Sequence, residues 1–215
     1  ARTAAYTLEF EQSVPDTPGQ TDKPPFLIPV VTGLVGSDGS DLSVRAGDGE
    51  KRLTRHTLQL TDRQQRFVFH GVEEEPIPSL LRGFSAPVKL EFGYSDEQLM
   101  FLMANDSDGF NRWDAAQTLS RRVLLDMVGQ HQDGQPMQVP GGLIQAYRAA
   151  LLSEDVEPAL IAEVLSMPAI SYLGDFMDSV DIEGLHAARE GLRSAVGQGL
   201  RQDLRKVYGQ MRDED

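Results

Sequence analysis

The chain has 215 residues, of which 40% are hydrophobic, and this is enough for one or two globular domains with sizeable cores. Its formal net charge is −13, so nucleic-acid phosphates and anionic membranes are not expected as partners. The sequence contains no cysteine, which excludes disulfides, thiol catalysis and thiolate metal sites.

Neither a secretory signal nor a membrane span is predicted. The first ten residues, ARTAAYTLEF, lack the apolar core of a secretory signal. The longest apolar run, Phe26–Val31, is far shorter than the roughly 18 residues that a membrane helix needs. Together with the lack of cysteine, these features predict a cytoplasmic location.

Short runs of alternating polarity, separated by turn residues, characterise residues 1 to about 93. Tyr6, Leu8 and Phe10 are expected on one side of a first strand. Further strands are predicted at Phe26–Leu34, His56–Leu60, Arg66–His70 and Val88–Phe92. Short strands at this spacing predict a β-sandwich, in which Pro29 would confine its strand to an edge or a bulge.

From Tyr94 onwards the apolar residues follow a helical period. Ser95–Gln98 has the pattern of a capping box, and Asp108 is the predicted N-cap of a second helix that ends near Gly129. Further helices are predicted at Leu143–Leu152, Pro158–Leu165, Ser171–Phe176 and Ile182–Met211. The last contains five glycines and is expected to be interrupted. Residues 94–215 are therefore predicted to form an all-α domain of packed helical hairpins.

The histidines do not form a recognisable metal site. No HExxH pair is present. His56 and His70 lie on predicted strands and could meet across a sheet, but solvation or hydrogen bonding explains them better than a metal. Nucleotide-binding glycine loops and the serine nucleophile elbow are also missing from the sequence.

The acidic clusters favour structural roles. Asp106–Asn111 resembles the start of a calcium loop, but such a loop needs glycine sixth and glutamate last, where the sequence has Asn111 and Gln117. Helix-capping acids are the preferred interpretation. The run Glu73–Glu75 and the helix acids near Asp181 are predicted to be solvated. No catalytic, cofactor-binding or metal-binding residue is assigned.

Two motifs carry a resemblance to a known family. They are PSLLRGFSAPVKL at Pro78–Leu90 and FNRWDAAQ at Phe110–Gln117. In this order and at this separation they resemble bacterial aminopeptidase N, a family of zinc-dependent gluzincin aminopeptidases. The similarity extends over nearly the whole chain and is weakest at residues 36–55 and in the C-terminal helix.

The resemblance implies a structural segment that follows the catalytic domain of a longer enzyme. Residues 1–93 would be its immunoglobulin-like β-sandwich, and residues 94–215 would begin its superhelical C-terminal domain. The family's HExxH, third zinc-ligand glutamate and GAMEN motif have no counterpart, so zinc is expected in the parent enzyme and no cofactor in this chain. The implied partners are the catalytic domain, the remainder of the helical domain and, for the parent enzyme, peptide substrates.

Two other interpretations stay open at this point. The chain could be a stand-alone β-sandwich binding module with a helical appendage. It could also be an independent hydrolase that uses a pair of carboxylates. An HExxH motif upstream in the same reading frame would favour the aminopeptidase segment over the binding module.

Overall fold

The computed structural model describes residues 5–154 and 156–212. The chain divides into two compact units: the β unit ends at Phe92, and the helical unit begins at Gly93. The predicted fold class, an immunoglobulin-like β region followed by an all-α region, is confirmed by the strands of the first unit and the helices of the second.

Two antiparallel sheets build the β unit. Its strands are β1 (Ala5–Glu11), β2 (Ile28–Val35), β3 (Arg45–Ala46), β4 (His56–Leu60), β5 (Gln64–His70) and β6 (Ile77–Leu80). One sheet has the order β1-β5-β3 and the other has the order β4-β2-β6. Both sheets contribute buried side chains to one core, including Leu8, Leu34, Leu58, Phe69 and Leu80.

Alternation of polar and apolar residues predicts the strands well, because successive side chains point to opposite faces. In β1, Leu8 is buried while Tyr6 and Phe10 pack partly buried against the same core. In β4, His56, Leu58 and Leu60 are buried and the residues between them are exposed.

The expected edge position of Pro29 is wrong, because β2 is the central strand of its sheet. The proline is tolerated because β6 pairs only with Thr32–Val35, beyond Pro29. The side chain of Ser85 occupies the adjacent space. Its hydroxyl donates to the Pro29 carbonyl oxygen at 3.0 Å and accepts from the Val31 amide at 3.0 Å.

The predicted strand at Val88–Phe92 is also wrong. This segment forms no ladder with a neighbouring strand, although its apolar residues alternate. β6 (Ile77–Leu80) takes the place beside β2, and sequence analysis missed it because Pro78 interrupts the pattern. The alternation of polar and apolar residues indicates which side chains face apolar surroundings. It does not specify which strand the backbone of the segment pairs with.

The helices of the second unit largely follow the prediction. They are α1 (Asp96–Asn105), α2 (Gly109–Gln132), α3 (Gly141–Leu151), α4 (Pro158–Leu165), α5 (Ile170–Gly174), α6 (Ile182–Gly199) and α7 (Arg201–Arg212). The capping box at Ser95 is confirmed, with its hydroxyl 3.2 Å from the Gln98 amide and the Gln98 side chain returning to the Ser95 amide. The expected break in the final helix lies at Leu200, between α6 and α7.

Helix α2 runs through the centre of the helical unit. It packs against α1, α4 and α6. Its fully buried apolar side chains meet those of the neighbouring helices in one core, which includes Leu119, Leu124, Met127, Leu143 and Leu192. The Tyr147 hydroxyl also lies in this core, 2.7 Å from the Ser120 hydroxyl. Burial raises the pKa of Tyr147, and the hydrogen bond with Ser120 partly offsets this.

Removing the Tyr147 hydroxyl is expected to destabilise the helical unit by about 1–3 kcal/mol, because the buried Ser120 hydroxyl loses its partner. The measurement is urea unfolding of Tyr147→Phe, followed by the fluorescence of Trp113, the chain's single tryptophan. Tyr172→Phe is the matched control, since Tyr172 is exposed. Adding Ser120→Ala to Tyr147→Phe should restore part of the lost free energy of unfolding. If the effects of the two substitutions on that free energy are strictly additive, the pairing of the two hydroxyls is contradicted.

Candidate functional site

The first motif begins within β6, and directly after that strand it folds into a tight turn. A 3-10 turn occupies Arg82–Phe84, and three residues adopt left-handed backbone conformations: Leu81 (φ 56°), Gly83 (φ 62°) and Phe84 (φ 52°). Gly83 suits this region, whereas Leu81 and Phe84 are unusual there. Such conformations persist only where the surroundings over-determine them, so the turn is held in place by its contacts.

The main contact of this turn is the buried guanidinium of Arg82, which is 2% exposed. Its two terminal nitrogens donate to both carboxylate oxygens of Asp41 at 2.9 and 2.6 Å, and its Nε donates to the Ser79 hydroxyl at 2.8 Å. The group lies directly over Gly33, where a Cβ would overlap its central carbon. This bidentate pair joins the turn after β6 to the loop after β2.

The second motif lies at the start of α2. Phe110 and Trp113, three residues apart, share one face, with ring centroids 5.4 Å apart. The side chain of Arg112 is buried: its Nε donates to the Asp106 carbonyl oxygen, and a terminal nitrogen donates to the Ser153 hydroxyl at 2.9 Å. Arg112 therefore links the loop before α2 to the end of α3.

The histidines occupy separate structural positions. His56 lies on β4 and His70 on β5, which belong to different sheets, so the two do not pair across one sheet. The His56 ring packs edge-on against Phe69, with centroids 5.6 Å apart, and its Nε2 lies 3.0 Å from the Leu53 carbonyl oxygen. Hydrogen bonding and packing thus account for His56.

The acidic residues act as caps and turn contacts. Asp108 caps α2 by accepting from the Asn111 amide at 3.2 Å, as predicted, and Asp106 accepts from the Asp108 amide. In the run Glu73–Glu75, the Glu74 carboxylate accepts from the Ser37 amide and hydroxyl. These contacts stabilise local turns and helix starts and leave the calcium-loop resemblance without a structural counterpart.

Asp181 caps α6 by accepting from the Gly184 amide at 2.9 Å, and it also accepts from the Gln132 side chain at 3.0 Å. These hydrogen bonds lower the pKa of Asp181, with the Gly184 amide as the main cause. Interactions that lower the pKa of a carboxylate stabilise the fold fully at pH values above the pKa that the group has in the unfolded state. This stabilisation is lost as the pH falls through the pKa of the folded state. The cap is therefore intact at neutral pH and weakens in acid.

Within residues 5–154 and 156–212, no three histidine or carboxylate side chains are arranged to hold a metal ion. The helices of the same described residues also include none that combines the length and apolarity of a membrane span. The geometry of the two motifs therefore provides packing and hydrogen bonding.

One cavity of about 640 Å³ opens in the β unit. It lies between β1, the start of β2 and the segment Val88–Phe92, and apolar side chains such as Phe10, Phe26 and Leu90 line it. Gln12 closes one side by hydrogen bonding to both backbone groups of Phe26, at 2.8 and 2.9 Å. Sequence analysis did not foresee this cavity, because it depends on Val88–Phe92 remaining outside the sheet.

Comparisons with known proteins match both units. A family model described as a domain of unknown function (DUF3458) with an Ig-like fold matches residues 1–93. A second, described as a domain of unknown function (DUF3458_C) with ARM repeats, matches residues 96–215. The predicted β-sandwich and helical array thus correspond to two named family domains in the same order.

Several relatives share this pattern over nearly the whole chain. Aminopeptidase N of Escherichia coli is 38% identical over 206 residues, which are 96% of this chain and 23% of that protein. Aminopeptidase N of Haemophilus influenzae is 32% identical over 214 residues, which are 100% of this chain and 24% of that protein. A crystal structure of Legionella pneumophila aminopeptidase A in complex with aspartic acid matches with a TM-score of 0.73 at 25% identity, over 95% of this chain and 22% of that one.

The chain thus spans less than a quarter of the length of the relatives that it matches. Its two family domains, its sequence identity to both aminopeptidase N proteins and its structural likeness all indicate one assignment. The resemblance that the two motifs carried is confirmed: the chain belongs to the bacterial aminopeptidase N family, in which it forms the Ig-like region and an ARM-repeat region.

Proposed function

We propose that this chain is a non-catalytic structural part of a zinc-dependent aminopeptidase that removes N-terminal residues from peptides. The observation that carries the proposal is the match of nearly the whole chain to less than a quarter of two aminopeptidase N proteins. The motif side chains support it, because Arg82 and Arg112 are buried in packing and hydrogen bonds.

The two units have different structural tasks in this proposal. The β unit is a spacer that sets the angle between the catalytic domain and the helical domain. The helical unit is part of the wall around the active-site cavity, where limited access would favour chain ends over internal peptide bonds. ARM repeats suit such a wall, because stacked helix pairs build extended concave surfaces.

Zinc chemistry belongs to the parent enzyme in this proposal. A zinc ion with a glutamate base would activate water for attack on the scissile carbonyl. The described residues of this chain do not fit that ion, since no three histidine or carboxylate side chains converge among them. The proposed partners are therefore the catalytic domain and the remaining helical domain, with peptides as substrates of the whole enzyme. The expected cytoplasmic location stays a prediction.

The chain alone is expected to show no turnover of a chromogenic alanyl substrate, with or without added zinc. The full protein expressed from the same gene should cleave that substrate and lose activity to a chelator. Calorimetric titration of the isolated chain with zinc checks the metal directly, and no binding is expected. Zinc-dependent cleavage by the isolated chain would contradict the proposal.

The alternative, a stand-alone binding module, has one observation in its favour: the apolar cavity of the β unit. Its volume falls within the range of roughly 300–1,000 Å³ that is typical of small-molecule sites. The reading frame upstream of residue 1 separates the two functions. An HExxH motif there supports the aminopeptidase segment, and an unrelated or absent upstream sequence supports the binding module.

A further inference from the structure

The cavity of the β unit runs along the outer edge of β1. In the sheet order β1-β5-β3, β1 lies at an edge, with β5 as its neighbouring strand. Every residue from Leu8 to Gln12 lines the cavity, and so does every residue from Val88 to Phe92. Side chains of a strand alternate between two faces, so a run of successive lining residues indicates that the edge of the strand faces the cavity. The cavity is therefore bordered by backbone as well as by side chains.

The backbone groups of Glu9 and Glu11 face this outer edge. Just beyond the ladder between β1 and β5, the Gln12 amide donates to the Arg63 carbonyl oxygen at 2.9 Å, so the backbone of Gln12 faces β5. Backbone groups alternate in direction along an antiparallel strand, and Glu11 and Glu9 therefore direct theirs away from β5. Among the residues that the structure describes, none hydrogen-bonds to the backbone of Glu9 or Glu11. The edge can therefore accept a further strand.

The floor of the cavity is apolar. Val30, Leu60 and Leu81 are buried core residues that line it. Leu8 and Phe10 lie on the inward face of β1 and contact the same core. A strand added beside β1 directs every second side chain towards this floor. Its inward positions therefore favour apolar residues.

The outward positions beside β1 are acidic. The charged residues that line the cavity are three carboxylates, Glu9, Glu11 and Glu91, and one lysine, Lys89, so their net charge is −2. Glu9 pairs with Arg66, and Lys89 lies 2.9 Å from the Glu91 carboxylate. Glu11 is exposed and forms no ion pair within the described part of the chain. A basic side chain directly opposite Glu11 on an added strand would form a favourable cross-strand pair.

We propose that this cavity binds an extended peptide in which apolar and basic residues alternate, and that the peptide adds to β1 as an antiparallel strand. Its basic residues lie opposite Glu9 and Glu11 and exchange backbone hydrogen bonds with them. Its apolar residues cover the floor of the cavity. Antiparallel addition continues the pairing that β1 has with β5. The proposal goes beyond the proposed function and does not depend on it, because all the contacts that carry it lie within the β unit.

Three other occupants fit the edge less well. A second copy of β1 brings the carboxylates of two acidic strands side by side, and these repel each other. A small apolar molecule covers the floor but leaves the backbone of Glu9 and Glu11 without partners. The segment Val88–Phe92 belongs to neither sheet, and its closure onto β1 would remove the cavity. The experiments below distinguish these occupants from the peptide.

The first experiment titrates the fluorescently labelled hexapeptide acetyl-KVKVKV-amide into the 215-residue chain and follows fluorescence anisotropy. We expect saturable binding. The peptide acetyl-KKKVVV-amide has the same composition and charge without the alternation, and it should bind about tenfold more weakly because its valines cannot all face the floor. Methylation of the lysine amide nitrogens should abolish binding, because these amides face β1. Equal affinity for both sequences, or no saturable binding of the alternating peptide, would overturn the proposal.

The second experiment changes the charge beside the edge. Glu11→Lys should weaken the binding of acetyl-KVKVKV-amide about tenfold, because an attractive cross-strand pair becomes repulsive. Glu73→Lys is the matched control, since Glu73 is an exposed residue of the β unit outside the lining of the cavity. An equal loss of affinity in both variants would show attraction to the overall negative charge and would contradict binding at β1.

Amide hydrogen exchange measured by NMR identifies the occupant of the edge. In the peptide-free chain, the Glu9 and Glu11 amides should exchange about tenfold faster than the Leu8 and Phe10 amides, which face β5, and saturation with acetyl-KVKVKV-amide should remove this difference. Protection of Glu9 and Glu11 before peptide is added overturns the proposal. If that protection is independent of protein concentration, Val88–Phe92 occupies the edge, and if it rises with concentration, a second copy does. Peptide binding that leaves both amides unprotected also overturns it, because strand addition requires their hydrogen bonds.

Discussion

Replacing Arg82 with methionine is expected to destabilise the β unit by about 3–5 kcal/mol, the usual cost of removing one partner from a buried ion pair. The Arg82 and Asp41 side chains are 2% and 17% exposed, so water replaces the guanidinium at the Asp41 carboxylate only in part. Ser79 loses a hydrogen bond at the same time. The left-handed turn at residues 81–84 should loosen with it, because Arg82 is its main anchor.

The measurement is amide hydrogen exchange with peptide resolution, since the chain holds two units and a single unfolding signal would mix them. Exchange should accelerate in β2 and β6 and remain unchanged in α2. Arg66→Met is the control, because Arg66 forms an exposed ion pair with Glu9 that should contribute at most about 1 kcal/mol. If both variants accelerate exchange to a similar extent, the Arg82–Asp41 ion pair stabilises the β unit no more than the exposed Arg66–Glu9 pair does.

Gly33→Ala tests the same arrangement from the opposite side. The added methyl group overlaps the Arg82 guanidinium, which cannot move away without breaking its bonds to Asp41. We therefore expect Gly33→Ala to be destabilising alone and much less so in the Arg82→Met background. A coupling of roughly 0.5–3 kcal/mol is typical of residues in direct contact, and additive effects would contradict the overlap.

The sequence predicts the β unit where burial follows local alternation, as in β1, β4 and β5. It fails where pairing depends on distant parts of the chain. Val88–Phe92 alternates like a strand yet stays outside both sheets, and Ile77–Leu80 pairs with β2 despite Pro78. Strand pairing is a non-local property, whereas helix caps such as Ser95 and Asp108 are local and were predicted correctly.

The same distinction governs the motif residues. The sequence identifies the family through PSLLRGFSAPVKL and FNRWDAAQ, but it does not show what those residues contact. Asp41 lies 41 positions before Arg82, in a loop with no distinguishing pattern, so their ion pair could not be foreseen. The sequence offers one signal of a buried ion pair, which is an arginine within an otherwise apolar and glycine-containing run. Arginine is rarely buried without a carboxylate partner.

Replacing Arg112 with methionine is expected to destabilise the helical unit, because a buried carbonyl and a partly buried hydroxyl lose a charged donor. The Asp106 carbonyl oxygen and the Ser153 hydroxyl both accept from the Arg112 guanidinium. Loss of the donor to the buried Asp106 carbonyl oxygen costs roughly 1–3 kcal/mol, and loss of the donor to the partly buried Ser153 hydroxyl costs less. The methionine side chain retains much of the apolar packing of the arginine stem, so the loss reports mainly on the hydrogen bonds.

Urea unfolding followed by Trp113 fluorescence measures this loss selectively, since the β unit contains no tryptophan and Trp113 is the neighbour of Arg112 on α2. Arg193→Met is the matched control on an exposed helical surface. Its ion pair with Glu190, three residues apart, should contribute at most about 0.5 kcal/mol. If Arg112→Met unfolds at the same urea concentration as Arg193→Met, the guanidinium of Arg112 does not hold the start of α2 to the end of α3.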